Sequence, residues 1–386
     1  MINDQRKIRV AHIITDLDSG GAEWMLFRLL SKTNREEFDP IVISLAPIGI
    51  VGARIASLKI PLFTLDMKSG LNVLFPIIKL IKILKQNNIQ IIQTWLYHAN
   101  LIGGLAGWFA GKIPVIWGIR SYILDPKITK KSTLIIFTLL RFLAKWIPVK
   151  AIACSNVSKK HHILLGYPED KMLYIPNGFD IEHFKPCEKE KSPFRKELEI
   201  AESTFLIGFT ARFDPYKAHD VFLKAANLVS KKYPQVLFVL CGTNMDWENE
   251  ILVNWIKTND LLEKVLLIGP RNDIPTVLAG FDLFVSSSRM EAFSVSIGEA
   301  MATGLPCIVT NVGDSALIVG DVGIVVPPDD PEELAEAIVT MVGKPVQERE
   351  KIGLSSRKHI IMNFELSRIV EEYSNVYKDS IREQDK

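Results

Sequence analysis

The chain has 386 residues, 48% of them hydrophobic, enough for two domains of ordinary size with a core each. Its four cysteines, Cys154, Cys187, Cys241 and Cys307, are scattered singly without a Cys-x-x-Cys, which argues against a zinc ribbon or disulfide framework and for a reducing compartment. The net charge of +2 hides an asymmetry: residues 1–190 carry 25 Lys and Arg against 15 Asp and Glu, and the remainder 21 against 29.

A basic first half suits an anionic membrane surface or a phosphorylated lipid acceptor, or is an ordinary basic surface. No aromatic–basic interleaving speaks for nucleic acid, which is not expected as a partner. The polar start, residues 1–9, runs into a strand and reads as no signal peptide. No run long and apolar enough to span a bilayer occurs; the nearest, 132–149, is interrupted by Arg141 and Lys145.

In chain order, apolar runs predict strands at 7–15, 40–45, 61–65, 89–94, 114–118, 151–154 and 172–175. Helical periodicity falls between them at 23–31, 51–58, 71–85, 98–110, 131–146 and 156–165. Such alternation implies a parallel sheet covered on both faces. The basic, amphipathic stretch 71–85 has two readings: a helix in a membrane interface, or one packed on the sheet with its lysines in water. Turn formers and charge from Pro176 to Pro193 mark a linker. A second strand–helix series then runs from 204 to 342, with a helix over 217–231, and a helical tail spans 349–380. The expected fold is α/β with two doubly wound, Rossmann-like domains: 1–183, and 184–365, with a final helix over about 366–386 packing back on the first. Ligands of such sheets bind beyond the carboxyl ends of the strands.

The densest chemistry lies in Arg289-Met-Glu-Ala-Phe-Ser-Val-Ser-Ile-Gly-Glu-Ala-Met-Ala-Thr-Gly-Leu-Pro306. It follows an apolar strand and reads as a loop, then a helix from Val295 that Gly304 and Pro306 stop. The helix N-terminus favours an anion. Glu291 and Glu299 flank that point, and carboxylates repel phosphate, so they address something neutral, such as sugar hydroxyls. A nucleotide sugar supplies both. Earlier, the strand 204–210 leads into Ala211-Arg-Phe-Asp-Pro-Tyr-Lys217, which sets Arg212 and Lys217 where a diphosphate would lie.

At these residues the chain resembles the retaining family 4 glycosyltransferases of the GT-B fold, in which two Rossmann-like domains face a cleft. The likeness rests on the Glu291/Glu299 motif and on Arg212 to Lys217. It extends to Pro176-Asn-Gly-Phe-Asp180, Gly269-Pro-Arg271-Asn-Asp-Ile-Pro275 and Gly20-Gly21-Ala-Glu, so it covers nearly the whole chain. It implies that Glu299 holds ribose hydroxyls, that Glu291 contacts the transferred sugar, and that Arg212 and Lys217 hold the diphosphate. Backbone N–H groups around Ala292, Phe293, Ser294 and Val295 would touch sugar and phosphate, and Arg271 and its neighbours would border the base. Ser294 stands where many members carry Gly.

Gly20 and Gly21 allow backbone to come close to the donor; a dehydrogenase fingerprint is absent, because Gly-x-Gly-x-x-Gly does not occur. Asp16-Leu-Asp18 superficially matches a metal-binding pair, but the resemblance implies neither metal nor other cofactor. His98, after the strand 89–94, is a catalytic candidate with three open roles: acceptor positioning, proton handling, or a sugar hydroxyl contact. Arg120 and Tyr122 follow the next strand as acceptor-site candidates.

The expected reaction moves a hexose from a nucleoside diphosphate sugar, UDP-glucose or a related UDP-sugar, to a glycan or lipid-linked acceptor of cell-surface polysaccharide, with retention. Closure about the 178–190 linker would exclude water. The expected place is the cytoplasm, with peripheral contact at the inner face of the membrane through the basic N-terminal half. Two alternatives stay open: a UDP-sugar epimerase of the same architecture, and a non-catalytic nucleotide-sugar sensor.

Overall fold

A computed structural model describes residues 7–18, 20–67, 74–121, 131–187 and 192–384. Two compact units emerge, one of residues 1–178 and 366–386, the other of residues 179–365.

The first unit holds a seven-stranded sheet: β1 (Ile8–Ile14), β2 (Phe38–Ser44), β3 (Leu62–Thr64), β4 (Ile91–Trp95), β5 (Val115–Ile119), β6 (Pro148–Ala153) and β7 (Met172–Tyr174). Its order is β3-β2-β1-β4-β5-β6-β7, all parallel. The strands are short Val- and Ile-rich runs buried on both faces, as crossover helices require. Alternation sorts their side chains. Ala11, Ile13, Ile41 and Ile43 join Leu80, Ile102 and Leu140 on one face; Val10, Ile14 and Val42 join Met25, Leu26 and Ile369 on the other.

The second unit repeats the plan with six strands: β8 (Phe205–Thr210), β9 (Val236–Cys241), β10 (Val265–Leu267), β11 (Leu283–Ser286), β12 (Cys307–Thr310) and β13 (Ile324–Val326), in the order β10-β9-β8-β11-β12-β13. In both sheets the chain runs outward for three strands, then returns to the far side of the first. The switch points therefore lie between β1 and β4, and between β8 and β11. A buried ion pair braces the second sheet. Arg195 Nη2 meets Asp282 Oδ2 at 2.6 Å, and the same oxygen accepts the Leu206 N–H at 2.8 Å.

Three expectations need correction. The break between units falls at 178/179 rather than 183/184, because Phe179 is fully buried and its N–H donates to the Phe364 carbonyl, deep in the second unit. The tail is two helices, Val346–Phe364 and Leu366–Gln384, broken where Glu365 turns extended (φ −61°, ψ 135°). Leu366, Ile369, Val370, Tyr373 and Tyr377 then line one side of the last helix and cover the first sheet. The helix expected from 217 begins at His219, because Ala218 stands in the left-handed region (φ 54°, ψ 47°) and ends a short turn over Pro215–Lys217.

Candidate active site

The loops after β8 and β11 flank the second switch point and are stitched together. Ser287, fully buried, donates its hydroxyl to the carbonyls of Lys217 (3.1 Å) and Ala218 (3.0 Å). Arg289 donates its N–H to the Tyr216 carbonyl at 2.7 Å, and its guanidinium grips both Asp220 oxygens at 2.9 and 2.7 Å. Asp220 and Asp329 raise the Arg289 pKa further, against the opposing effect of burial. Arg289 is thus a latch between loops. The result is that Lys217 Nζ and Glu291 Oε1 form an ion pair, with the Ser288 hydroxyl donating to that oxygen at 2.9 Å.

Past Glu291 the chain is held from below. Asp314 N–H donates to the Ala292 carbonyl at 3.1 Å. Gly313 (φ 55°) passes so close that a Cβ there would lie 2.0 Å from the Glu291 carbonyl oxygen, so only glycine fits. Phe293 is buried, its ring 6.2 Å from that of Phe179 and nearly parallel. Ser294 then begins the helix Val295–Ala302 without capping it by its side chain. Its first N–H groups are thus left uncapped by Ser294, at a helix start where an anion is favoured. Glu299 lies one turn on, 8% exposed. Gly298, on the same helix, lets the Phe179 ring seat against the backbone; a Cβ would meet it at 2.0 Å.

Arg212 follows β8 and is largely exposed, with Nε and Nη2 on Asp214 Oδ2 at 3.1 and 2.9 Å. Burial pushes the Asp214 carboxyl up, but the Tyr216 N–H and Arg212 outweigh it and hold the pKa below the usual value. Arg212, Lys217, the Ala292–Val295 backbone and the two carboxylates thus belong to one switch point. Arg271 is placed differently. Its guanidinium is clamped between Glu197, at 2.6 and 2.8 Å, and Asp273, at 2.8 and 2.9 Å. It braces the loop after β10, and its guanidinium is committed to these two carboxylates.

In the first unit, Gly20, Gly21, His98 and Arg120 all follow carboxyl ends of strands, β1, β4 and β5 respectively. Gly20 has extended backbone (φ −140°) that any residue adopts. Its reason is room, since a Cβ would lie 2.3 Å from the Glu23 carboxylate. Glu23 is buried, and burial raises its pKa to about 6, opposed by its backbone hydrogen bond and helped by Asp16, while Arg120 pulls it down. His98 is half-buried in the first turn of the helix Tyr97–Phe109. The residue before that helix, Leu96, has φ 73° and ψ 162°, a region essentially restricted to glycine. The strained turn sits two residues before His98.

Arg120 is tied inward. Nη1 donates to Asn177 Oδ1 and Nη2 to the Tyr373 hydroxyl, both at 2.7 Å, and the guanidinium lies 4.3 Å from the Trp95 ring centre. It pins the last helix, so its sequence-based assignment to the acceptor overlooked a packing role. Tyr122 lies outside the described residues. Asp16 accepts the Asp18 N–H at 3.3 Å in a local turn. Among the described residues, no group of three or more His, Cys, Asp and Glu is disposed to hold a metal ion.

Sequence reasoning quoted Glu23 and Asn177 within motifs but gave them no role, and it missed Ser287, Ser288 and Leu96. Leucine carries no signal for positive φ, and the serines looked like loop filler.

Comparison with known proteins decides the family. Residues 19–183 match the profile described as Glycosyltransferase Family 4, and residues 204–344 that described as Glycosyl transferases group 1. The chain is a family 4 glycosyltransferase. A relative from Escherichia coli, UDP-Gal:alpha-D-GlcNAc-diphosphoundecaprenol alpha-1,3-galactosyltransferase, is 27% identical over 321 residues, 82% of this chain and 80% of that one. N-acetyl-alpha-D-glucosaminyl L-malate synthase of Bacillus anthracis is 26% identical over 61% of this glycosyltransferase and 60% of its own length. Among solved structures, Anabaena HepE in complex with UDP and glucose superposes with a TM-score of 0.83 at 24% identity, covering 96% of this chain and 100% of that one. A glycosyltransferase from Rickettsia africae gives 0.82 at 21% identity, covering 97% and 99%. The glycosyltransferase therefore has the GT-B architecture of two Rossmann-like domains.

Proposed function

We propose that this glycosyltransferase moves a hexose from a UDP-sugar, with retention, to a hydroxyl of a glycan or lipid-linked acceptor in cell-surface polysaccharide synthesis, without a metal. The carrying observation is the side-chain-uncapped start of the helix Val295–Ala302 together with the Lys217–Glu291 ion pair and Glu299 one turn on. The diphosphate binds at the helix N-terminus. Lys217 exchanges its carboxylate for phosphate, and Arg212 joins it from Asp214. The exchange frees Glu291 to accept a hydroxyl of the sugar, while Glu299 accepts those of the ribose.

As the anomeric C–O bond breaks, its electron pair passes to the diphosphate oxygen. Fixed cations and helix N–H groups stabilise that charge with little reorganisation. The acceptor oxygen bonds to the anomeric carbon on the same face, and its proton goes to the departing phosphate. The two cations supply the charge that a divalent metal would otherwise bring. His98 is the first unit's own candidate for a hydroxyl contact, and the cytoplasm supplies the donor. The donor reading is supported by the UDP-Gal in the name of the Escherichia coli relative and by the UDP-glucose complex of the Anabaena protein. The acceptor reading is supported by the diphosphoundecaprenol in the former name.

A thermal-shift panel of UDP-glucose, UDP-galactose, UDP-N-acetylglucosamine and GDP-mannose tests the donor. A UDP-sugar is expected to raise the melting temperature most, since a ligand of the native state stabilises it. Incubation with a prenyl-diphosphate sugar acceptor, with the product anomer read by NMR, tests the rest. An inverted anomer, or an isomerised donor in the absence of acceptor, overturns the reading.

A further inference from the structure

The helices Leu74–Gln86, Tyr97–Phe109 and Lys131–Leu143 pack side by side on one face of the first sheet. The outer side of this layer is not an ordinary solvated surface. Ile135, Leu139 and Phe142 follow one another at spacings of four and three, which sets them in a single stripe; Trp146 follows in the turn beyond the helix, and all four are between 46% and 66% exposed. Inward, the same helix buries Leu140 and half-buries Ile136 and Phe137, so it is apolar on both sides. Across the central helix, Phe75 and Ile78 are 68% and 63% exposed, on the side of their helix that also carries Lys82 and Lys85. An apolar surface of this extent calls for an occupant.

Charge identifies it. From residue 67 to 168 the sequence has 14 Lys and Arg and a single acidic residue, Asp125. The three helices contain no Asp or Glu at all. Lys131, Arg141 and Lys145 flank the stripe, and all are exposed. A second copy of the chain docked face to face would set the cations of these three helices against one another, with Glu383 of the last helix, which shares a pocket with Trp146, only at the margin. A bilayer with anionic headgroups answers both features, taking the apolar rings at its interface and the ammonium groups at its phosphates.

We infer that this three-helix layer is a docking face for an anionic lipid bilayer, with Phe142 and Trp146 inserted at the headgroup boundary and Lys82, Lys85 and Lys145 among the phosphates. The sequence had singled out only the segment 71–85; folding adds the longer stripe of the helix Lys131–Leu143 and joins the two. The face stands independently of the donor and acceptor readings, since the side chains named for it are none of theirs, although His98 lies in the first turn of the middle helix.

The test is co-sedimentation of the full chain with phosphatidylglycerol–phosphatidylcholine vesicles and with phosphatidylcholine alone, at low and high salt. The chain is expected to sediment with the anionic vesicles and to bind the zwitterionic ones about tenfold more weakly or worse. Phe142→Ser with Trp146→Ser cuts binding about tenfold at either salt. Lys82→Gln with Lys85→Gln cuts it by a similar factor, about tenfold, chiefly at low salt. Leu354→Ser, an equally exposed apolar site in the second unit, leaves it unchanged. Melting curves of all variants stay near that of the parent, since these side chains are exposed. Equal binding to both vesicle types, unchanged binding by the Phe142/Trp146 variant, or a dimer that this variant dissociates in sedimentation would each overturn the inference.

Discussion

The two switch points use the same topology with different material. Beside β8 and β11 the side chains are charged and partly exposed: Lys217 on Glu291, Arg212 on Asp214, and the open start of the helix Val295–Ala302. Beside β1 and β4 the groups are more withdrawn: a half-buried His98, a buried Glu23 whose pKa burial raises to about 6, and a half-buried Arg120 engaged by Asn177 and Tyr373, with Asp16 and Asp18 in the turn after β1. The first set suits a diphosphate, whose binding exchanges one anionic partner for another at little desolvation cost. The second suits neutral hydroxyls. One fold thus provides two chemistries through its loops, while the sheets supply only position.

Several experiments would break or sharpen this contrast, the largest in effect being at the brace of the second sheet. Arg195→Ala removes the cation facing the Asp282 carboxylate in a site 8% exposed and is expected to cost about 3–5 kcal/mol, read by urea unfolding. Next, Lys217→Ala is expected to lower kcat by a factor of about 10² to 10³ at little cost in melting temperature; near-normal turnover would remove the diphosphate from this site. In the first unit, Arg120→Met leaves Asn177 and the Tyr373 hydroxyl without their partner, for about 1–3 kcal/mol of stability. If turnover falls in step with the folded fraction alone, Arg120 is a packing residue, as its contacts indicate.

Acid should separate the units further. Burial lowers the pKa of His12 to about 3, of His162 to about 4 and of His219 to about 3. Below pH 6.5 the unfolded chain binds protons that the folded chain refuses, so stability present above that pH is lost on acidification. The loss reaches about 1.4 kcal/mol per pH unit for each histidine, down to a pH of about 4. Glu23 acts in the opposite sense, since its raised pKa is a cost above pH 6 that fades as pH falls toward 4.5. Two of the three histidines lie in the first unit, so Glu23→Gln should steepen that unit's acid limb, measured by urea titrations from pH 7 to pH 4.5. The smallest effect is at Ala218, whose φ of 54° favours glycine. Ala218→Gly should be neutral or stabilising by under about 1 kcal/mol, read as a melting shift.

What the chain sequence settled alone was the alternation of strand and helix and the loop-then-helix course of the segment from Arg289 to Pro306. Both are local: a period of two or 3.6 residues, and a motif confined to one turn and one helix. Even the helix start and the two carboxylates flanking it were legible there, though the missing side-chain cap at Ser294 was not. The tertiary structure decided which charged residues were available. Arg271 had the composition of a ligand contact but is committed to Glu197, 74 residues away, and Asp273. Arg120 is committed to a tyrosine 253 residues away. Phe179 seats the helix Val295–Ala302 through Gly298, and Leu96 is held in a conformation its side chain disfavours. Such choices depend on partners brought together by the two sheets, because long-range contacts rather than local preference select among the conformations that each side chain and turn could adopt.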